Sequence, residues 1–99
     1  MLYAILSDDV EGSSPLRAKV RTKHIARLEA LRDSGKLVLA GPCPTIDAND
    51  PGPAGFSGSV VIAEFDSLAA ARQWADADPY AEAGVYQSYQ VKPFKLVLP

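Results

Sequence analysis

A chain of 99 residues with 47% apolar side chains and a net charge of −2 can build one small core, read here as a single domain over residues 1–99. Its single cysteine excludes an intramolecular disulfide, and one cysteine with one histidine gives none of the usual zinc spacings. No unbroken apolar run is long enough to span a bilayer, so no membrane contact is expected.

Leu2 to Ser7 has the length and bounds of a strand. The stretch from Met1 to Leu6 carries neither a basic leader nor a small-residue cleavage site, so the expected compartment is the cytoplasm. Glu11-Gly12-Ser13-Ser14-Pro15 predicts a loop closing on a helix, with Ser14 as N-cap and Pro15 as the first helical residue. The helix should run from 15 to 33 and end at Ser34-Gly35, with Gly35 in the left-handed cap. Leu16, Val20, Leu28 and Leu31 fall within one arc of about 120° on it.

Lys36 to Ala40 reads as a second strand. Gly41 to Gly58 holds four prolines and four glycines, and so predicts a long irregular loop of the kind that serves as a lid or binding loop. Ser59 to Phe65 is the third strand, with Val60 and Ile62 on one face and Val61, Ala63 and Phe65 on the other. Ser67 caps a second helix, Leu68 to Asp76, whose inner face should carry Leu68, Ala71, Trp74 and Ala75. Asp78-Pro79 interrupts it, because a residue before proline is pushed out of the helical region. A helical turn from Pro79 to Gly84 and a last strand from Tyr86 to Val97 complete the chain, with Pro93 marking an edge or bulge.

The order βαββαβ is that of an α+β, ferredoxin-like sandwich. Two helices cover one face of a four-stranded sheet, yet the middle strands are apolar on both faces. A second copy packed sheet to sheet would cover the rest. A homodimer through the open sheet face, forming a dimeric α/β barrel, is therefore expected.

His24, the only histidine, falls near the middle of the apolar arc of the first helix. An imidazole aimed at a core needs a partner. It is either a core histidine with one satisfied hydrogen bond or a proton carrier, since imidazole titrates near ~6.5 in model peptides. Asp78 can supply the partner, and as a pre-proline aspartate it is also a helix N-cap; one carboxylate can do both. Asp76 reads as a solvated helix-end charge. Arg21, at the i−3 position from His24, either holds an anionic substrate or pairs on the surface. Tyr80 either covers a ligand or buries its ring over the second helix.

Arg17, Lys19, Arg21, Lys23 and Arg27 crowd the first helix, but they lie mostly outside the apolar arc and no aromatic residues interleave with them. Nucleic acid is not an expected partner. Cys43, between Pro42 and Pro44, reads as a small apolar filler. Ser59 and Ser88 offer hydroxyls without a nucleophile motif, and the glycines form no GxGxxG or Walker pattern.

Several stretches together resemble the YciI-like family, the YCII-related domain. They are Val20-Arg21-Thr22-Lys23-His24, Gly35-Lys36-Leu37, Ala40-Gly41-Pro42, Asn49-Asp50-Pro51-Gly52, Gly55-Phe56, Gly58-Ser59 and Ile62-Ala63-Glu64-Phe65. Trp74-Ala75-Asp76-Ala77-Asp78-Pro79-Tyr80 is the strongest stretch, followed by Ala83-Gly84-Val85-Tyr86 and Val91-Lys92-Pro93-Phe94-Lys95. The resemblance implies a dimeric ferredoxin-like barrel and a His/Asp pair at an active-site pocket, mapping onto His24 and Asp78. It also brings relatives that include a dehydrochlorinase of chlorinated hydroxyhydroquinones, and a wider superfamily with muconolactone isomerases and monooxygenases. The expected function is an acid/base elimination or isomerisation on a small cyclic or aromatic molecule, without metal or organic cofactor. His24 and Asp78 would be catalytic, while Arg21, Gly41, Phe56 and Tyr80 would bind substrate, with the 42–57 loop as apolar walls. The alternatives are a small-molecule binding or sensing dimer without turnover, and a structural module.

Overall fold

A computed structural model describes all 99 residues. Strand β1 (Leu2–Asp9) leads into helix α1 (Ser14–Asp33), followed by β2 (Leu37–Pro44), a single 3-10 turn (Gly52–Ala54) and β3 (Phe56–Glu64). Helices α2 (Leu68–Asp76) and α3 (Pro79–Glu82) then precede β4 (Tyr86–Phe94). The strands form one antiparallel sheet in the order β2-β3-β1-β4, the ferredoxin-like arrangement expected from the element order.

Alternation decides which face each strand residue takes. Tyr3 and Ile5 of β1 pair with Ala63 and Val61 of β3, and Ile5 pairs on its other side with Val91 of β4. This row meets Leu28 and Leu31 of α1 and Ala71 and Ala75 of α2 in one buried core. The alanines of α2 let that helix lie close to the sheet. Further along the same row, Ser7 pairs with Ser59, and the core-facing positions turn from apolar to polar. The opposite face of the sheet carries Leu6, Val60, Ile62 and Leu39, with Leu6 36% and Leu39 47% exposed.

Several boundaries differ from the sequence reading. Ser13, not Ser14, occupies the N-cap position of α1, and its hydroxyl donates to Asp9 Oδ2 instead of capping the backbone. Strand β2 continues through Gly41-Pro42-Cys43 to Pro44, and β3 begins at Phe56, so the irregular stretch is shorter than expected. Prolines are tolerated there because β2 is an edge strand, hydrogen-bonded to β3 alone. Cys43 is half-buried and free, and β4 ends at Phe94, leaving Val97 exposed. Leu68 is exposed instead of facing inward on α2. On α1, Leu16 and Val20 are only half-buried, whereas Arg17 is buried. Gly35 takes φ +75° after α1, and Ser67 Oγ accepts from Ala70 N at the start of α2, both as expected.

Candidate functional site

Helix α1 presents His24 towards the break between α2 and α3, where Asp78 holds an extended backbone (φ −61°, ψ 129°) ahead of Pro79. Both side chains are buried, and His24 Nδ1 lies 2.8 Å from Asp78 Oδ1. The same oxygen accepts the backbone N–H of Tyr80 at 2.9 Å. Asp78 is thus the cap of α3 and the partner of His24 at once. That cap fixes where Tyr80 begins, and the Tyr80 ring stacks on the imidazole, with centroids 3.8 Å apart and planes within 5°. Tyr80 is itself buried.

His24 and Tyr80 line a cavity of about 240 Å³, together with Arg17, Arg21, Gly41 and Ser59. Its other walls are apolar: Ile25, Leu28, Ala40, Pro42 and Val61. Nδ1 is taken by Asp78, and the second ring nitrogen, Nε2, has no protein partner. Since no fully buried side-chain polar atom is left unpaired, Nε2 reaches open space. An adjoining cavity of similar size shares Arg17, Arg21, Pro42 and Tyr80, and adds Phe56, Ser14 and Ala18.

Of the residues singled out from sequence, His24, Arg21, Gly41 and Tyr80 line the first cavity. Phe56 lines the second. Asp78 stands behind His24 and lines neither. Of the 42–57 stretch, Pro42 and Phe56 line these cavities, while residues 44–49 line a separate, open hollow. Asp76 is exposed, accepts a hydrogen bond from Tyr89 Oη and lines neither cavity.

The sequence reading missed Arg17. Its Nε donates to Asp9 Oδ2 at 2.7 Å, and its Nη2 donates to Asp9 Oδ1 at 3.1 Å and to the Gly58 carbonyl at 3.0 Å. The guanidinium also lies 5.0 Å from the Tyr80 ring centroid and 5.5 Å from that of Phe56. Burial works against the Arg17 charge, but the hydrogen bond and attraction of Asp9 outweigh it and hold its pKa above the ordinary value. Arg17 precedes His24 by seven residues, two helical turns, so the spacing did put both on one face. Because Asp9 neutralises Arg17, Arg21 is the exposed cavity cation without an ion-pair partner.

Burial pushes the Tyr80 phenol above its usual pKa, against the pull of Arg17 and Arg21. The Tyr86 phenol, 3.1 Å from Ser59 Oγ, is pushed up to about 12, by burial first and then by the nearby Asp78 charge. No group of three or more His, Cys, Asp or Glu side chains comes together as a metal site.

The model of the YCII-related domain matches residues 1–95. The chain belongs to the YCII-related family. Among its YCII relatives, protein YciI of Escherichia coli O6:H1 is 59% identical over 97 residues, spanning 98% of this chain and 99% of that protein. An uncharacterized protein of Haemophilus influenzae is 50% identical over the same span. Among solved structures, the YCII chain is similar to 5-chloro-2-hydroxyhydroquinone dehydrochlorinase (TftG) from Burkholderia phenoliruptrix AC1100, in complex with 2,5-dihydroxybenzoquinone. The TM-score is 0.84 at 27% identity, covering 96% of this chain and 94% of that one. No helix of this YCII chain is long and apolar enough to cross a membrane.

The Tyr86 environment has a pH consequence. The phenol is neutral when protonated, and its folded pKa lies above the ordinary value of 10. The folded state therefore holds this proton more tightly. The resulting stability is fully present below pH 10 and is lost as pH rises from 10 to about 12. Denaturant titrations of wild type and Tyr86→Phe should differ by a constant amount up to pH 10. Above it the wild type should lose up to about 3 kcal/mol more than the variant. Parallel pH profiles through that window would contradict the assignment.

Proposed function

We propose that this protein is an acid/base enzyme that catalyses an elimination or isomerisation on a small cyclic or aromatic molecule. The observation that carries this reading is the 2.8 Å His24–Asp78 contact beside a cavity of about 240 Å³, which leaves His24 Nε2 free. Asp78 holds the imidazole with its proton on Nδ1, so Nε2 is the lone-pair nitrogen that can take a proton from substrate. In an elimination on the keto tautomer of a hydroxylated ring, Nε2 accepts the proton from an sp3 ring carbon, the C–H electrons form the new C=C bond, and the leaving group departs from the adjacent carbon with its bonding pair. Arg21, and backbone N–H groups near Gly41, would steady negative charge on the substrate. Tyr80 covers the imidazole face and, with Phe56 and Pro42, keeps bulk water from it.

The similarity to TftG supports a dehydrochlorinase-like reaction on a hydroxylated ring. Incubation with 5-chloro-2-hydroxyhydroquinone, followed by chloride release, tests it. His24→Asn should lower the rate by roughly 10²–10⁴-fold with the melting temperature little changed. A wild type that releases no chloride would remove the dehydrochlorinase reading, and a variant that keeps full activity would remove His24 from the mechanism.

The same reading takes the active form to be a homodimer joined through the open sheet face. Leu6, Leu39, Val60 and Ile62 offer that face an apolar surface that α1 and α2 do not cover. Wild type should sediment as two chains and Leu39→Lys as one. A monomeric wild type would rule the dimer out.

A further inference from the structure

Strand β3 places Ser59 in the wall of the His24 cavity, buried and next to the apolar run Val60-Val61-Ile62. A hydroxyl buried there is costly unless it is hydrogen-bonded. Its partner is the Tyr86 phenol at 3.1 Å, and Ser7, the cross-strand neighbour of Ser59, is buried beside it. Tyr86 in turn meets the ring of Tyr80 edge-on, with centroids 5.9 Å apart, and Tyr80 stacks on His24. The hydroxyl pair and the imidazole are therefore held by one packed aromatic unit.

Either hydroxyl of this pair can donate to the other, and one of the two directions leaves a proton facing the cavity. A serine hydroxyl has one proton and two acceptor sites, and a phenol has one proton. Burial keeps the Tyr86 phenol protonated across the physiological range. When Tyr86 donates to Ser59 Oγ, the Ser59 proton is left for an acceptor in the cavity. Ser59 and Tyr80 are the side-chain hydroxyls that line this cavity, and Arg17 beside them is occupied by Asp9 and Gly58.

We propose that the Ser59–Tyr86 pair is the hydrogen-bond donor for a substrate oxygen, so that the site selects rings bearing a carbonyl, phenol or phenolate oxygen. This rests on reading the cavity as the ring site of an acid/base enzyme. When Nε2 removes a proton from a ring carbon next to a carbonyl, the C–H electrons move into the ring and charge collects on the carbonyl oxygen. A donor already fixed at that oxygen stabilises the charge without reorganisation. Ser59 touches the substrate, and Tyr86 is a positioning residue that sets the direction of the Ser59 hydroxyl.

The test compares 4-chlorophenol with 4-chlorotoluene, two rings of similar size that differ in whether they carry an oxygen, with binding followed by NMR titration of the full chain. Wild type should prefer the phenol by about tenfold, the worth of one good hydrogen bond. Ser59→Ala should reduce that preference to below about twofold while leaving 4-chlorotoluene affinity unchanged, which also reports an intact cavity. Ser59→Thr, which keeps the hydroxyl, should restore the preference, and Tyr86→Phe should give a value between wild type and Ser59→Ala. If Ser59→Ala weakens both ligands equally, or keeps the phenol preference, the inference fails while the proposed function stands. If wild type binds neither ring, the proposed function fails and this inference falls with it.

Discussion

One carboxylate oxygen holds the candidate site together. Asp78 Oδ1 accepts from the Tyr80 backbone N–H and from the His24 imidazole, at 2.9 and 2.8 Å. The first bond starts α3 and so fixes the position of the Tyr80 ring; the second fixes the rotation of the imidazole on α1. The stacking of the two rings follows from both. Burying a carboxylate is costly unless its lone pairs are used, and a capping backbone donor plus an imidazole donor use them. The arrangement also makes the two halves of the βαββαβ order depend on each other, because α1 belongs to the first half and α3 to the second.

The cavity exists because the core stops short of it. Along β1 the helix-facing positions run Tyr3, Ile5, Ser7 and Asp9, and along β3 they run Ala63, Val61 and Ser59. Apolar packing against α1 holds at Leu28 and Leu31, and gives way towards the N-terminal half of the helix to His24, Arg21 and Arg17. There the Arg17–Asp9 pair, the Gly58 carbonyl and the Ser13 hydroxyl replace hydrophobic burial as the contact between helix and sheet. Gly58 belongs to this junction for a steric reason. A Cβ at that position would come within 2.1 Å of the Ser7 carbonyl oxygen, so only glycine lets β1 and β3 approach beneath the guanidinium.

The fold was legible where local chemistry and packing agree. Ser67 before Leu68, Gly35 after α1 and Asp78 before Pro79 mark element ends by backbone requirements that tertiary contacts do not override. His24 stood out because a lone imidazole in an apolar arc needs a partner, and Asp78 because a pre-proline carboxylate has an oxygen to offer. Arg17 was not legible, since its burial depends on Asp9 at the far end of β1 and on the Gly58 carbonyl 41 residues away. The extension of β2 through Pro42 was hidden for a related reason. Proline argues against a strand until the strand is known to be an edge. Leu16 and Val20 have apolar spacing but lie where the core gives way to the site, so they are only half-buried.

Because the chain has a single histidine, the state of its ring can be read without ambiguity by ¹⁵N NMR. Neutral His24 should carry its proton on Nδ1, through the bond to Asp78, and its Nε2 resonance should shift when a small phenol such as 4-chlorophenol is added. A ring protonated on Nε2, or an Nε2 signal indifferent to that ligand at saturation, would contradict the placement of His24 as the group that faces the substrate.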